Sequence, residues 1–380
     1  MNRREFLKGL GLSTLTALVP QFALAKSIGF SGNRRLLVMV ELKGANDGLN
    51  TLVPYTNQAY YDARPSLALD KTTLATLNGS FGMHPKLTPL LSAWRAGEMG
   101  WIHGLGYENP NRSHFESIEI WDSASGDTSR LHDGWVAQCF PEYELGGVAV
   151  DTNLGPLYGE RFSALSITDP YRFVDQGKDI KAAYSGDVSN SALRHILQVQ
   201  SEVDLLADSL ADYLDDVPKE KLEFAGNSFE RSLKSVYALI ASGINVPAYK
   251  ISLGNFDTHV AQARKHEILL DKLANGLIKF RTNLQHIGMW DEVVVMTYSE
   301  FGRRVNENGS KGTDHGTAAP HMVLGGKIRG GFYGEHPSLT DLDERGDQYH
   351  TTDFRDMYAT IRDDWWQLNK TGLGRSLGFV

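Results

Sequence analysis

A single cysteine, Cys139, is all the thiol that 380 residues contain, so no internal disulfide can form and stability has to come from a packed core. Basic residues are also in short supply. The 38 Lys and Arg against 46 Asp and Glu give a formal net charge of -8, and a surface this acidic excludes nucleic acid as a partner. Beyond the first 25 residues no apolar stretch reaches the ~20 residues that a bilayer span requires, and no cysteine follows to carry a lipid, so no membrane attachment of the mature chain is expected. Internal repeats and low-complexity tracts are missing as well. Ordinary globular packing is what remains, and 41% apolar residues suffice for it.

What is present begins with Asn2-Arg3-Arg4-Glu5-Phe6-Leu7-Lys8, a paired arginine followed by a bulky apolar residue, and continues in a mildly apolar run from Leu10 to Ala25. That run is too short and too rich in Gly and Thr to span a membrane, and it closes on Ala23-Leu24-Ala25, the small-x-small pattern that a signal peptidase reads. Residues 1–25 therefore read as a twin-arginine signal peptide rather than an amphipathic first helix, with cleavage before Lys26. Periplasmic localisation is the expectation, with the twin-arginine translocase as a transient partner. The route accepts folded cargo, and a common reason to fold first is a cofactor loaded in the cytoplasm, so a metal site is worth seeking. Removing Arg3, Arg4, Lys8 and Glu5 takes away three positive charges and one negative one, which moves the net charge from -8 to -10.

Residues 26–380 read as one α/β domain with helical insertions. Arg35 to Leu42 is a continuous apolar run after a basic pair, the signature of a buried strand in a parallel sheet, and it ends in the turn residues Gly44-Ala45-Asn46-Asp47-Gly48. Leu87 to Trp94 reads as helix, Gly100 to His103 as a short strand, and Ser113 opens another helix. Leu193 to Leu214 and Leu222 to Ile244 carry apolar residues at three-and-four spacing, predicting two long helices parted by Asp215-Asp216-Val217-Pro218. Val246 to Leu253 as strand, Ala261 to His286 as helix and Glu292 to Thr297 as strand make a strand-helix-strand unit. Asp122 to Arg130 and Asp175 to Asn190 lack a period and read as surface loops or insertions.

Ligands of open α/β sheets collect beyond the carboxyl ends of the strands, and the residues there are unusually polar. Asn46-Asp47 follows the first strand, Asp257-Thr258-His259 the Val246 strand, and Ser299-Glu300-Phe301-Gly302-Arg303-Arg304 the Glu292 strand. Thr313-Asp314-His315-Gly316 precedes a further apolar run, Met322-Val323-Leu324. An Asp and a His two apart on a tight turn can reach one cation, with Asp314 and His315 supplying more ligands, and such a set suits zinc, manganese or a similar divalent ion. A lone Asp-x-His is more often a hydrogen-bonded turn; four such segments at strand ends favour a site. His84, His103 and His114 are expected to be packed or hydrogen-bonded and are left out of the ligand set.

Pro110-Asn111-Arg112-Ser113-His114-Phe115-Glu116 is another focus. Ser113 with Glu116 three residues on fits a helix capping box. The same serine at a helix amino terminus could be a nucleophile facing a phosphate or sulfate held by free amides, with a metal ion depressing its hydroxyl pKa and Arg112 binding anionic oxygens. Arg303-Arg304 reads either as an anion clamp or as a solvated basic pair beside Glu307.

The segments Glu41 to Tyr55, Asn111 to Phe115, Phe256 to His259, Ser299 to Arg304 and Gly312 to Gly316 together resemble the bacterial proteins of unknown function labelled DUF1501, which are placed in the alkaline phosphatase and sulfatase superfamily. The resemblance implies a three-layer α/β/α sandwich with a mostly parallel central sheet. By it Asp47 looks like the first metal ligand, Ser113 the nucleophile, Asp257 and His259 the middle ligand pair, and His315 the final histidine. Where the superfamily has Asp-His after a Thr-ending strand, this chain has Ser299-Glu300, so Glu300 would be the ligand. The resemblance thus implies a metal-dependent periplasmic hydrolase of a small phosphate or sulfate ester, using zinc, manganese or calcium. Ser113 would attack, Asn46 would contact the substrate, and Arg112 or Arg303 would balance charge. The alternative is an exported binding or assembly protein that keeps the fold without turnover.

Overall fold

The computed structural model describes residues 34–126, 132–140, 145–179, 207–208, 210–368 and 372–380. Residues 1–25, expected to be a signal peptide, and most of the helix expected from Leu193 to Leu214 lie outside them.

One sheet organises the chain. Its strands are β1 (Leu36–Leu42), β5 (Met99–Gly106), β6 (Gly147–Val150), β7 (Ala164–Ile167), β8 (Ala248–Leu253), β9 (Val293–Tyr298), β10 (Ala319–Gly325), β11 (Gly331–Tyr333) and β12 (Thr352–Asp353). A small antiparallel sheet of β2 (Leu52–Val53), β3 (Ala75–Thr76) and β4 (Gly82–Met83) lies apart from it. The main sheet runs in the order β11-β5-β10-β9-β1-β8-β6-β7, with β12 added alongside β5. β1 lies parallel to both β8 and β9, and β6 parallel to β7 and β8; β10 alone reverses, antiparallel to β5 and β9. The sheet is thus mostly parallel, as expected.

β1 shows why the sheet is covered on both faces. Successive side chains of a strand point to opposite sides. Leu36, Val38, Val40 and Leu42 pack with the helices Ser228–Ala241 and Gln262–His286, whereas Leu37 and Met39 pack with Trp121, Trp135 and the helix Phe354–Thr360. A strand buried on both faces needs apolar residues at every position, which accounts for the run Leu-Leu-Val-Met-Val. The result is the α/β/α sandwich.

The strand-helix-strand unit is realised as β8, the helix Gln262–His286 and β9. That helix buries Leu269, Leu270, Leu273, Leu277, Phe280 and Leu284, a three-and-four stripe of the kind that binds a helix to a sheet. The helix expected from Leu222 to Ile244 is shorter. Asn227 caps it by accepting from the Glu230 amide, so residues 219–227 stay outside, and Glu230 is held by Lys279 at 2.7 Å. Asp175 to Asp179, expected as loop, ends the helix Pro170–Asp179. Asp353 caps the Phe354–Thr360 helix and pairs with Arg355, as its sequence position suggests.

Candidate metal centre

Three loops meet beyond the ends of β8, β9 and β10. The β8 loop carries Asp257 and His259, with Phe256 tied back by its amide to the Lys43 carbonyl. Gly44 makes that approach possible. Its φ of +103° suits glycine, and a Cβ there would lie 2.5 Å from the Asp257 amide nitrogen. The β9 loop and the segment before β10 pair with each other through an antiparallel bridge between Arg303 and His315. Gly312 allows the second of these to pass within 2.2 Å (Cβ position to carbonyl oxygen) of His259. The helix His114–Ser123, which follows β5 in the chain, contributes His114 at its first position.

At the meeting point three imidazoles turn their Nε2 atoms inward. His315 Nε2 lies 3.1 Å from His114 Nε2, 3.0 Å from His259 Nε2 and 3.3 Å from Asp257 Oδ1. His259 Nε2 lies 2.9 Å from the same carboxylate oxygen, and His114 Nε2 is 3.7 Å from Asp257 Oδ2. Ligand atoms of His114, Asp257 and His315 all fall within 4.8 Å of one another, the spread expected of a cation's coordination shell. Ligands at 2.0–2.1 Å around a tetrahedral ion stand about 3.3 Å apart, close to the spacing here.

The opposite ring nitrogens fix the tautomers of His315 and His114. His315 Nδ1 faces the Arg112 carbonyl at 3.0 Å, a group that can only accept, so Nδ1 carries the proton. His114 Nδ1 donates to Glu300 at 2.6 Å, and His259 Nδ1 lies 2.9 Å from Asp314. When neutral, His114 and His315 therefore turn bare Nε2 lone pairs to the centre, whereas His259 has a carboxylate 2.9 Å from either nitrogen and Arg303 Nη1 3.4 Å from its Nε2. Carboxylate and carbonyl partners behind the ligand histidines are what metal sites use to orient the rings. The Phe301 ring closes the floor, 4.9 Å from both His114 and His315.

Electrostatics follow the same geometry. The Glu300 hydrogen bond raises the His114 pKa above its ordinary value against a smaller opposing effect of burial, whereas burial lowers that of His315. Burial alone would raise the Asp257 carboxyl, but the hydrogen bond and charge of Arg303 outweigh it and hold the group ionised. Glu300 is likewise kept low, burial being overcome by His114 and Ser299. Bonding to His259 lowers Asp314.

The residues singled out in the sequence fall into two groups. Asp257, His259 and His315 converge as expected, while Glu300 and Asp314 stand one step back, each gripping a histidine. Asp47 stands outside the cluster. Its carboxylate is buried against the Arg64 guanidinium at 2.6 Å and also accepts from Gln262. Asn46, expected to touch substrate, is buried and bonded to Thr51 and His266. Arg112 is committed to Asp343 and Asp347, both at 2.7 Å, and not to an anion. Arg303 is no open clamp either. It is buried, giving its hydrogens to Asp257 and to the carbonyls of Gly44, Ala45, Phe256 and Thr313, because five donors in one plane can tie several strand-end loops together.

Ser113 is the N-cap of its helix, but the capping box does not form: its hydroxyl makes no capping bond, and Glu116 instead accepts from Asn111 at 2.6 Å. The Ser113 amide donates to Asn111, leaving the hydroxyl beside the helix amino terminus with its unshared amides. His114, expected to be packed or hydrogen-bonded and left out of the ligand set, is hydrogen-bonded to Glu300 and also turns its Nε2 to the centre. The available signal was its place beside Ser113 at a helix start, where a side chain projects over the same sheet edge.

No curated protein matches the chain in sequence. Among solved structures it is similar to the lipoteichoic acid synthase LtaP from Listeria monocytogenes at 12% identity, covering 79% of this chain and 69% of that one with a TM-score of 0.34. It is similar to the alkaline phosphatase from the Antarctic bacterium TAB5 at 9% identity, with 79% and 94% covered and a TM-score of 0.32. The phosphonate monoester hydrolase of Agrobacterium radiobacter matches at 12% identity, 90% and 76% covered, TM-score 0.36. The family model "Protein of unknown function (DUF1501)" matches residues 181–376, a span that takes in Asp257, His259, Glu300 and His315. With more than half of its length matched, the chain belongs to the DUF1501 family.

Proposed function

We propose that this protein is a metal-dependent hydrolase of phosphate or sulfate esters, holding one divalent ion, zinc or manganese or calcium, with His114, His259, His315 and Asp257. The convergence of His315 Nε2 on His114 Nε2 at 3.1 Å, His259 Nε2 at 3.0 Å and Asp257 Oδ1 at 3.3 Å is the observation that carries the reading, since one cation can engage all of these atoms at once. Imidazole ligands favour zinc over manganese or calcium, which prefer oxygen. A divalent ion there would supply Lewis acidity to an ester oxygen.

Ser113 is the nucleophile on hand. Its oxygen forms the new bond to phosphorus or sulfur as the ester oxygen departs, the hydroxyl proton passes to solvent, and solvent protonates the leaving oxygen; water then releases the acid and restores Ser113. The amides at the start of the His114–Ser123 helix bind the non-bridging oxygens. Arg112 and Arg303, both committed elsewhere, do not take part. The paired arginine and cleavage triplet of residues 1–25 support export to the periplasm through the twin-arginine route, and a site built from distant segments suits a cargo exported after folding.

The alternative, an exported binding or assembly protein that has given up turnover, has its own support. Asp47 and both candidate clamp arginines are tied up in ion pairs, which suits such a role. Metal-loaded protein assayed on aryl phosphates and sulfates, beside His315→Ala and Ser113→Ala, separates the two. Hydrolysis lost in both variants supports the hydrolase, and metal-loaded protein without turnover on any ester leaves the binding role.

A further inference from the structure

The segments Asp257-Thr258-His259 and Thr313-Asp314-His315 share more than acids and imidazoles: each carries a threonine, and both threonines are buried. Their hydroxyls meet on one atom. Gln262 Oε1 accepts from Thr258 Oγ1 at 3.1 Å and from Thr313 Oγ1 at 2.6 Å. Gln262 is itself buried and opens the Gln262–His286 helix, so its side chain starts from an element packed along the sheet. Its backbone amide donates to the Lys311 carbonyl at 2.9 Å, and the Thr313 amide donates to the Thr258 carbonyl at 3.3 Å. One side chain on a rigid helix thus joins the two loops that carry Asp257, His259 and His315.

A glutamine amide can be turned either way, and here its orientation is imposed. Nε2 donates to the Asp47 carboxylate. Burial alone would raise the Asp47 carboxyl, but the charge of Arg64, 2.6 Å away, outweighs it and keeps the group ionised. An ionised carboxylate only accepts, so the amide nitrogen faces it and the amide oxygen is left for the two threonines. Arg64 in turn donates to the carbonyls of Arg304 and Val305, each at 2.9 Å, on the β9 loop. The chain of bonds therefore runs from that loop through Arg64, Asp47 and Gln262 to both ligand-bearing segments, and all five side chains in it are buried.

Resting on the metal reading proposed above, we infer that Gln262 is a positioning residue, whose amide holds the Asp257–His259 turn and the Thr313–His315 segment at the spacing one ion requires. Without the amide oxygen both buried hydroxyls lose this acceptor, and a buried polar group left unpaired drives its loop to rearrange. The ion then has to reassemble its own ligands, and its affinity falls by that amount.

The test is the zinc affinity of full-length mature protein, folded before metal is added and measured by chelator competition well below its melting temperature, so that folding and binding stay separate. Gln262→Met keeps the length and removes the amide; Thr313→Val exchanges a hydroxyl for a methyl and carries the test if Gln262→Met does not fold. Each is expected to weaken zinc about tenfold or more, and the double variant should lose little beyond the worse single one. The reciprocal pair Gln262→Glu with Asp47→Asn keeps the charge beside Arg64, offers oxygen to both threonines and supplies an amide to that oxygen, so its affinity should return most of the way to wild type. Unaltered zinc affinity in the single variants, even with stability lost, overturns the inference. So do losses that multiply in the double variant, or no recovery in the reciprocal pair. Wild-type protein that takes up no metal overturns it together with the metal reading; zinc held with the expected losses but without ester hydrolysis sinks the hydrolase reading alone.

Discussion

His114 gives its Nδ1 proton to Glu300 across 2.6 Å, and the carboxylate that receives it also accepts from the Gly44 amide and the Ser299 hydroxyl. Glu300 is buried, so it acts on any bound cation through the ring it holds. Glu300→Gln keeps the shape and loses the charge. A loss of roughly 10–100-fold in metal affinity is expected, read by competition with a chromophoric chelator, with the fold intact by circular dichroism. Unaltered affinity would mean that His114 is not a ligand.

Elemental analysis of the folded protein is expected to give about one equivalent of divalent metal, and His315→Ala or Asp257→Ala should lower the affinity at least tenfold. Asp47→Asn separates ligands from structure. It leaves the buried Arg64 guanidinium without its anionic partner, so the expected result is unaltered metal content and a stability loss of about 3–5 kcal/mol in chemical denaturation. Loss of the metal in Asp47→Asn at full stability would restore Asp47 to the ligand set.

Arg112→Ala is predicted to act on stability. Asp347 is fully buried and pairs with Arg112 and, less closely, Arg304. Removing Arg112 strands that carboxylate at a cost of about 3 kcal/mol or more, and Asp347→Asn should recover part of the loss in the double variant. Additive losses in the double-mutant cycle would show that the two side chains do not depend on each other.

Acid should weaken the fold as the pH falls, the four buried histidines that refuse protons outweighing the Asp122 carboxyl, which burial raises to about 7 and which takes one up. Burial lowers His84 and His103 to about 4 and His266 and His321 to about 3. An unfolded histidine titrates near 6.5, so below that pH the unfolded chain binds protons that the folded one refuses, and stability falls with pH from about 6.5 toward 4. Each group adds at most about 1.4 kcal/mol per pH unit over that window. His103→Phe should make the slope shallower; an identical slope would place the loss elsewhere.

The sequence made the sheet legible wherever burial was continuous. β1 and β9 announce themselves because both faces are covered, and the Gln262–His286 helix because only one is. The antiparallel course of β10 was not legible, since an apolar run says nothing of direction. At the site, Asp257, His259 and His315 stood out as acid and imidazole at strand ends, but which groups touch and which stand behind depends on side-chain geometry. Asp47 and His114 show this. Asp47 has the sequence position of a ligand and is engaged by Arg64, a residue 17 positions on with no motif to mark it. His114 has the sequence context of a packed histidine, and only the placement of its helix against the Arg303–His315 bridge brings it to the centre.

The histidines that meet at 3.1 Å are 201 positions apart along the chain, and His315 and Asp257 are 58 apart. A cation bridging them would be a cross-link closing loops of those lengths, and the disorder that such closure denies the unfolded chain increases only slowly with loop size. The long loop therefore adds little beyond what the short one already contributes. Stripping the ion should free the rim where these loops join before it loosens the layers beneath, and amide exchange would quicken first around residues 254–261 and 311–318.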